Sequence, residues 1–153
     1  MKVIAFNGSA RKDGNTAKLI HFVFEELEKE GIKTELIQLS GTSIHGCRAC
    51  HSCFKNKNNK CVFTDDDINN YINKMTEADA IILGSPVYFA NMSTELKSLI
   101  DRVGFVNRAN DGNILRRKVG APVVAARRAG AVFTHDSINH FFFIGRFDVF
   151  DVC

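Results

Sequence analysis

The sequence predicts an α/β domain built on an open parallel sheet, and three features predict it. Short apolar runs alternate with segments whose apolar residues recur at helical spacing. The run A-I-I-L from Ala80 to Leu83 is apolar at every position, as strands covered on both faces are. The segments that follow three of the strands carry polar, glycine-containing and ligand-type residues, and parallel pairing through right-handed crossovers brings them to one sheet edge. The 153 residues, 45% hydrophobic and 24% charged, suffice for one domain with its own core, spanning 1–153 with a cysteine-rich loop at 45–61 inserted after the second strand.

Taken in order, Lys2 to Phe6 is the first strand, and the loop from Asn7 to Asn15 leads into a helix over Thr16 to Lys29 with Leu19, Ile20, Val23, Phe24 and Leu27 on one face. Unpaired amides and the positive end of a helix dipole make that junction an anion site, and Ser9, Asn15 and Thr16 add donors. The alternative is an ordinary connection in which Asn15 or Thr16 only caps the helix. Neither G-x-x-x-x-G-K-[ST] nor G-x-G-x-x-G is present, so a single phosphate fits better than a nucleoside triphosphate or a pyrophosphate. Lys33 to Leu39 is the second strand, and Asp65 to Asp67 open a helix with Ile68, Tyr71, Ile72 and Met75 inward.

The third strand, from Ala80, runs into G-S-P-V-Y-F-A-N-M-S at Gly84 to Ser93, where Pro86 stiffens a loop presenting Tyr88 and Phe89 beside Asn91 and Ser93. Such a loop can wall a flat aromatic ligand, although two aromatics alone are more often core or interface. Thr94 to Val106 is a helix with Leu96, Leu99, Ile100 and Val103 inward, broken after Asn107 by Asp111-Gly112. Pro122 to Ala126 is the fourth strand and ends in Arg127, Arg128 and Gly130. The tail from Arg146 offers a fifth strand, with Asp148 and Asp151 unusual for a buried one, and no helix is assigned beyond it.

Four of the five cysteines, Cys47, Cys50, Cys53 and Cys61, are spaced C-x2-C-x2-C-x7-C in a wet, basic loop with Arg48, His51, Ser52, Lys55, Lys57 and Lys60. Two residues between successive thiols let both sulfurs turn toward one ion or cluster. A triple C-x2-C-x2-C is the pattern of a cubane iron–sulfur cluster more than of a zinc ribbon, while zinc and thiols that bind nothing stay open. Cys61, after the N-K-N-N-K stretch, is the least secure of the four ligands, and Cys153 reads as incidental. The histidines, His21, His45, His51, His135 and His140, have no spacing that makes a metal site or a Cys-His pair, and Asp65 to Asp67 read as a solvated helix start.

A net charge of +3, without a basic helix face, gives nucleic-acid binding no support. No apolar run is long enough for a bilayer and no leader is evident at the N-terminus, so the expected location is the cytoplasm, where clustered thiols stay reduced.

N-G-S-A-R-K-D-G-N-T at 7–16, C-R-A-C-H-S-C with Cys61, G-S-P-V-Y-F at 84–89 and, more weakly, R-R-A-G-A-V-F-T at 127–134 resemble the iron-sulfur flavoproteins within the flavodoxin-like NAD(P)H-dependent FMN reductase family. The resemblance covers residues 1 to 145 and implies a flavodoxin-like open parallel sheet of strand order 2-1-3-4-5. It implies FMN with its phosphate on Ser9, Arg11, Asn15 and Thr16, its ring along Pro86, Val87, Tyr88 and Phe89, with Asn91 nearby and Arg128 and Gly130 closing the pocket. It further implies a 4Fe-4S cluster on Cys47, Cys50, Cys53 and Cys61, relaying electrons between one-electron and two-electron partners. NAD(P)H as donor, a ferredoxin or a small molecule as partner, and a homodimer or homotetramer belong to the same expectation. A plain NAD(P)H-dependent FMN or quinone reductase without a functional cluster and a zinc-stabilised binding module are the alternatives. Relatives of this kind continue for several tens of residues, so the C-terminal end is expected to be truncated or altered.

Overall fold

A computed structural model of the protein describes residues 1–149. The elements run β1 (Lys2–Asn7), α1 (Asn15–Lys29), β2 (Lys33–Gln38), α2 (Ser52–Asn56), α3 (Ile68–Glu77), β3 (Ala80–Pro86), α4 (Thr94–Ala109), β4 (Val119–Ala125), α5 (Ala131–Gly145) and β5 (Asp148–Val149). All neighbouring strands pair in parallel, in the order β2-β1-β3-β4-β5. That is the flavodoxin-like order expected from the sequence.

Strand alternation sorts the core into two layers. Val3, Ala5, Ala80 and Ile82 face Ile20 and Phe24 of α1. Ile4, Phe6, Ile81 and Leu83 face Ile68, Tyr71, Ile72 and Met75 of α3 and Leu96, Leu99 and Val103 of α4, and Ile138, Phe141 and Phe142 of α5 join this second layer. The helical residues expected inward on α3 and α4 are all buried, each such side chain contributing about 1.5–3 kcal/mol by its removal from water. Of the five residues expected inward on α1, only Ile20 and Phe24 are buried, whereas Leu19 and Val23 stay partly exposed. A single helix cannot cover five strands, and β4 is only half-buried apart from Gly120.

Three elements differ from the sequence expectation. Strand β4 starts at Val119, three residues ahead of Pro122, because Pro122 pairs with Leu83 in the sheet and does not open the strand. Residues 131–145, to which no element was assigned, form α5; its apolar residues sit on several faces, with Val132, Phe133, Phe143 and Ile144 exposed, so no single-face periodicity marks it. The short helix α2 lies inside the cysteine loop and packs on α4. Beyond Val149, the proposed remainder of the fifth strand and Cys153 lie outside the described residues. No helix among the described residues is long and apolar enough to cross a membrane.

Candidate cofactor sites

The strand order reverses at β1, so the loops after β1 and β3 diverge from adjacent strands and leave a crevice. A cleft of about 880 Å³ opens there, lined by Ser9, Arg11, Asn15 and Thr16 of the first loop and α1, by Pro86, Val87 and Tyr88, and by Val124, Ala125 and Arg127 after β4. Helix α1 begins at Gly14, an N-cap without a side-chain hydrogen bond, so neither Asn15 nor Thr16 acts as the cap. Its first amides are therefore open to an anion.

The first loop is held from within. Ser9 N–H donates to Asn7 Oδ1 (3.0 Å), Arg11 N–H donates to Ser9 Oγ (3.1 Å), and Gln38 Nε2 donates to the Ser9 carbonyl (2.6 Å). Ala10 N–H reaches Tyr88 Oη at 3.3 Å, joining the first loop to the third-strand loop. The seating of α1 depends on Gly84: a Cβ there would stand 2.6 Å from Ile20 Cδ1 and 3.0 Å from Thr16 Cγ2.

After β3 the chain makes a tight hairpin. Tyr88 and Asn91 exchange backbone hydrogen bonds (2.8 and 3.3 Å) around Phe89 and Ala90, which both have positive φ (46° and 71°). Non-glycine residues rarely take that turn, and its cost is of order 1 kcal/mol or more per residue. It leaves Phe89 fully exposed at the tip. Gly130, with φ of +91°, fits against this hairpin, since a Cβ would meet Val87 Cγ1 at 2.7 Å and the Ala90 Cα at 3.0 Å. Of the residues expected around a flavin, Ser9, Arg11, Asn15, Thr16, Pro86, Val87 and Tyr88 line the cleft, while Phe89, Asn91, Arg128 and Gly130 do not. Arg127, which the resemblance did not assign to the site, does.

The second site gathers Cys47, Cys50, Cys53 and Cys61 around one cavity, with Arg48, His51, Phe63, Arg102, Phe105 and Val106. All four thiols are free. The loop turns sharply between ligand positions, with Ala49 (φ 51°) and His51 (φ 55°) in the left-handed region, and Ala49 N–H points at Cys47 Sγ (3.4 Å). Such turns let a short segment aim successive sulfurs inward. Cys47 and Cys50 are exposed, and the Ser52 hydroxyl beside Cys50 holds that thiol below its ordinary range. Cys53 is half-buried, and burial pushes its thiol up.

Cys61 is the best held of the four. Asn69 grips its backbone from both sides, accepting from Cys61 N–H (2.8 Å) and donating to the Cys61 carbonyl (3.0 Å). Its sulfur accepts from Arg102 Nη2 at 3.3 Å. Arg102 is buried on α4 and pairs through Nη1 with Asp66, whose side chain is fully buried. Asp66 is therefore not part of a solvated helix start; only Asp65 and Asp67 are exposed. His45 also comes within ion-pair range of Asp65 (3.4 Å) and Asp66 (3.6 Å), a meeting its spacing did not show.

Arg102, Asp66 and Asn69 were missed by sequence reasoning. One signal was available: Arg102 stands three positions after Leu99 on the inward stripe of its helix, where a charge requires a buried partner. Rings complete the pocket, with Arg48 stacked over Phe63 at 4.5 Å and Phe105 meeting His51 and Phe54 edge-on, while His51 and Phe54 pack at a tilt.

Both sites suit the cofactors the resemblance implied. The cleft offers an uncapped helix start and a buried serine hydroxyl for a phosphate, and a proline-tyrosine wall for a planar ring. The cavity offers four free thiols and a buried cation whose Nε has no hydrogen-bond partner among the described residues, the chemistry of a site for an anionic thiolate-bound group.

Residues 1–152 match the family described as NADPH-dependent FMN reductase. An iron-sulfur flavoprotein of Methanocaldococcus jannaschii is 40% identical over 151 residues, covering 94% of this chain and 72% of that protein. One from Archaeoglobus fulgidus is 39% identical over 140 residues, covering 90% of this chain and 66% of that protein, so this chain spans about two thirds of these relatives' lengths. Among solved structures, RosB with a bound formylriboflavin phosphate intermediate superposes with a TM-score of 0.80 at 19% identity over 97% of this chain and 61% of its own, a likeness of fold. The chain belongs to the NADPH-dependent FMN reductase family, in its iron-sulfur flavoprotein group.

Proposed function

We propose that the protein is an FMN-dependent electron-transfer oxidoreductase that couples a 4Fe-4S cluster to the flavin. The observation that carries this is the pairing, in one chain of this family, of a phosphate-type cleft with a cavity lined by four free thiols. When bound, the cluster supplies one-electron transfer and the flavin one- or two-electron transfer. The chain's own residues bind and shield. The start of α1, Ser9, Arg11, Asn15 and Thr16 hold the phosphate. Pro86, Val87 and Tyr88 lie along the ring, Asn91, Arg128 and Gly130 support the hairpin side, and Arg127 adds a cation at the rim. Phe89, at an exposed tip, contacts whatever docks over the flavin. Cys47, Cys50, Cys53 and Cys61 hold the cluster, and His51, Phe54, Phe63 and Phe105 limit water around it.

Helix α4 runs from the loop after β3 to the cysteine pocket. Its N-cap Ser93 accepts from Leu96 N–H (3.3 Å) and is fixed by Ser85 Oγ, which accepts from Ser93 N–H (3.0 Å). Two turns on, the same helix presents Arg102, Phe105 and Val106 to the thiols. The external partner is a ferredoxin-like protein or a small-molecule acceptor, with NAD(P)H as donor. Homo-oligomerisation is part of the reading, supported by the exposed Phe22, Val132 and Phe133.

Absorption spectra of anaerobic FMN-loaded protein before and after dithionite, with iron and sulfide assays, test it. Two flavin bands with a broad bleachable shoulder, and about four iron and four sulfide per chain, are expected. Flavin reduced by NADPH in iron-free protein would instead make it a plain FMN or quinone reductase. Stoichiometric zinc without flavin would make it a binding module.

A further inference from the structure

We propose that Arg102 is a positioning residue of the cysteine centre, held by Asp66 so that its guanidinium donates to Cys61 Sγ and stabilises the reduced state of the cluster bound there. The inference rests on the cluster reading above and goes beyond it in assigning what sets the potential. The geometry is specific. Arg102 Nη2 stands 3.3 Å from Cys61 Sγ, Nη1 pairs with the buried Asp66 and also faces the His45 carbonyl at 3.4 Å, and Nε is unpartnered among the described residues.

A guanidinium with 2% exposure is costly unless its charge is matched. Asp66 supplies one negative charge, and the cavity it borders is lined by four thiols that become thiolates when they ligate. One-electron reduction adds a single negative charge to the bound group and moves no bond or proton; the electron comes from an external reductant, dithionite in the assay. A fixed cation and an N–H···S hydrogen bond next to that group favour the more negative state, and hydrogen bonds to sulfur are an established determinant of cluster potential. The same contact ties Cys61 to α4, countering the exposed 55–60 stretch before it.

The test is a potentiometric titration, followed by electron paramagnetic resonance, of anaerobically reconstituted wild type, Arg102→Gln, Arg102→Lys and Asp66→Asn. Iron release to a chelator and thermal unfolding of each are followed in parallel. The account expects opposite signs: a lower midpoint in Arg102→Gln, which loses the cation, and a higher one in Asp66→Asn, which leaves the cation uncompensated. Arg102→Lys, which keeps the charge and is the safer fold, falls between wild type and Arg102→Gln. Iron release in Arg102→Gln is expected at least tenfold faster. Variants that load iron and share the wild-type midpoint would overturn the proposal and leave Arg102 as a structural ion pair. Wild type that takes up no iron would instead overturn the cluster reading itself.

Discussion

The cleft is lined by the start of α1 and the loops that follow β1, β3 and β4, whereas the cysteine pocket is built by side chains drawn from segments far apart in sequence. In the cleft, the critical contacts are close approaches: Gly84 beneath Ile20 and Thr16, Gly130 beneath the Phe89 hairpin, amides turned into the first loop. In the pocket, Arg102 reaches 36 positions back to Asp66 and 41 to Cys61. A site made from strand ends exists once the sheet forms. A site made from a buried ion pair exists only if both partners are present.

The difference has consequences that mutation can break. The largest concerns Arg102→Met, which leaves the Asp66 carboxylate buried without its partner and is expected to cost about 3–5 kcal/mol of stability. A thermal unfolding scan checks it, and a melting temperature within a degree of wild type would mean that the pocket does not depend on the pair. Next is Gly84→Ala, whose methyl group meets Ile20 Cδ1 at 2.6 Å and should cost about 1–3 kcal/mol while weakening FMN binding, because α1 is pushed off its strand. Iron content per folded chain in that variant should stay at the wild-type level if the two sites are built independently.

How much of this could be read in the sequence follows from the same contrast. Local periodicity placed β1, β2, α3 and α4 and the residues they bury, and three of the loop motifs fell at one sheet edge, because strand ends and helix starts are set by near neighbours. What escaped was tertiary. Helix α5 has apolar residues around much of its circumference and so shows no stripe. The Phe89-Ala90 turn lacks the asparagine or glycine that would announce it. Cys61 looked weakly held behind N-K-N-N-K, yet Asn69 and Arg102, neither close in spacing nor ligand-like, fix its backbone and sulfur.

Smaller effects sharpen the comparison. Ser9→Ala removes the acceptor of the Arg11 amide and a donor to the proposed phosphate, about 1 kcal/mol, so the FMN dissociation constant should rise roughly five- to tenfold with iron content unchanged. Within the pocket, iron-free protein should alkylate at Cys50 before Cys53, since Cys50 is exposed with its thiol lowered by Ser52 and Cys53 is raised by burial. The thiolate is the reactive form, so as pH falls Cys53 should lose reactivity at a higher pH than Cys50. Mass-resolved labelling at several pH values reads this directly, and equal rates would mean that the loop is not held as described.

The central claim is that two redox groups, not one, sit in this chain, and counting electrons tests it. Anaerobic reductive titration of the FMN-loaded protein should consume about three electrons per flavin, two for the flavin and one for the cluster, and about two in Cys61→Ser. Wild type that is fully reduced by about two electrons per flavin would contradict the account.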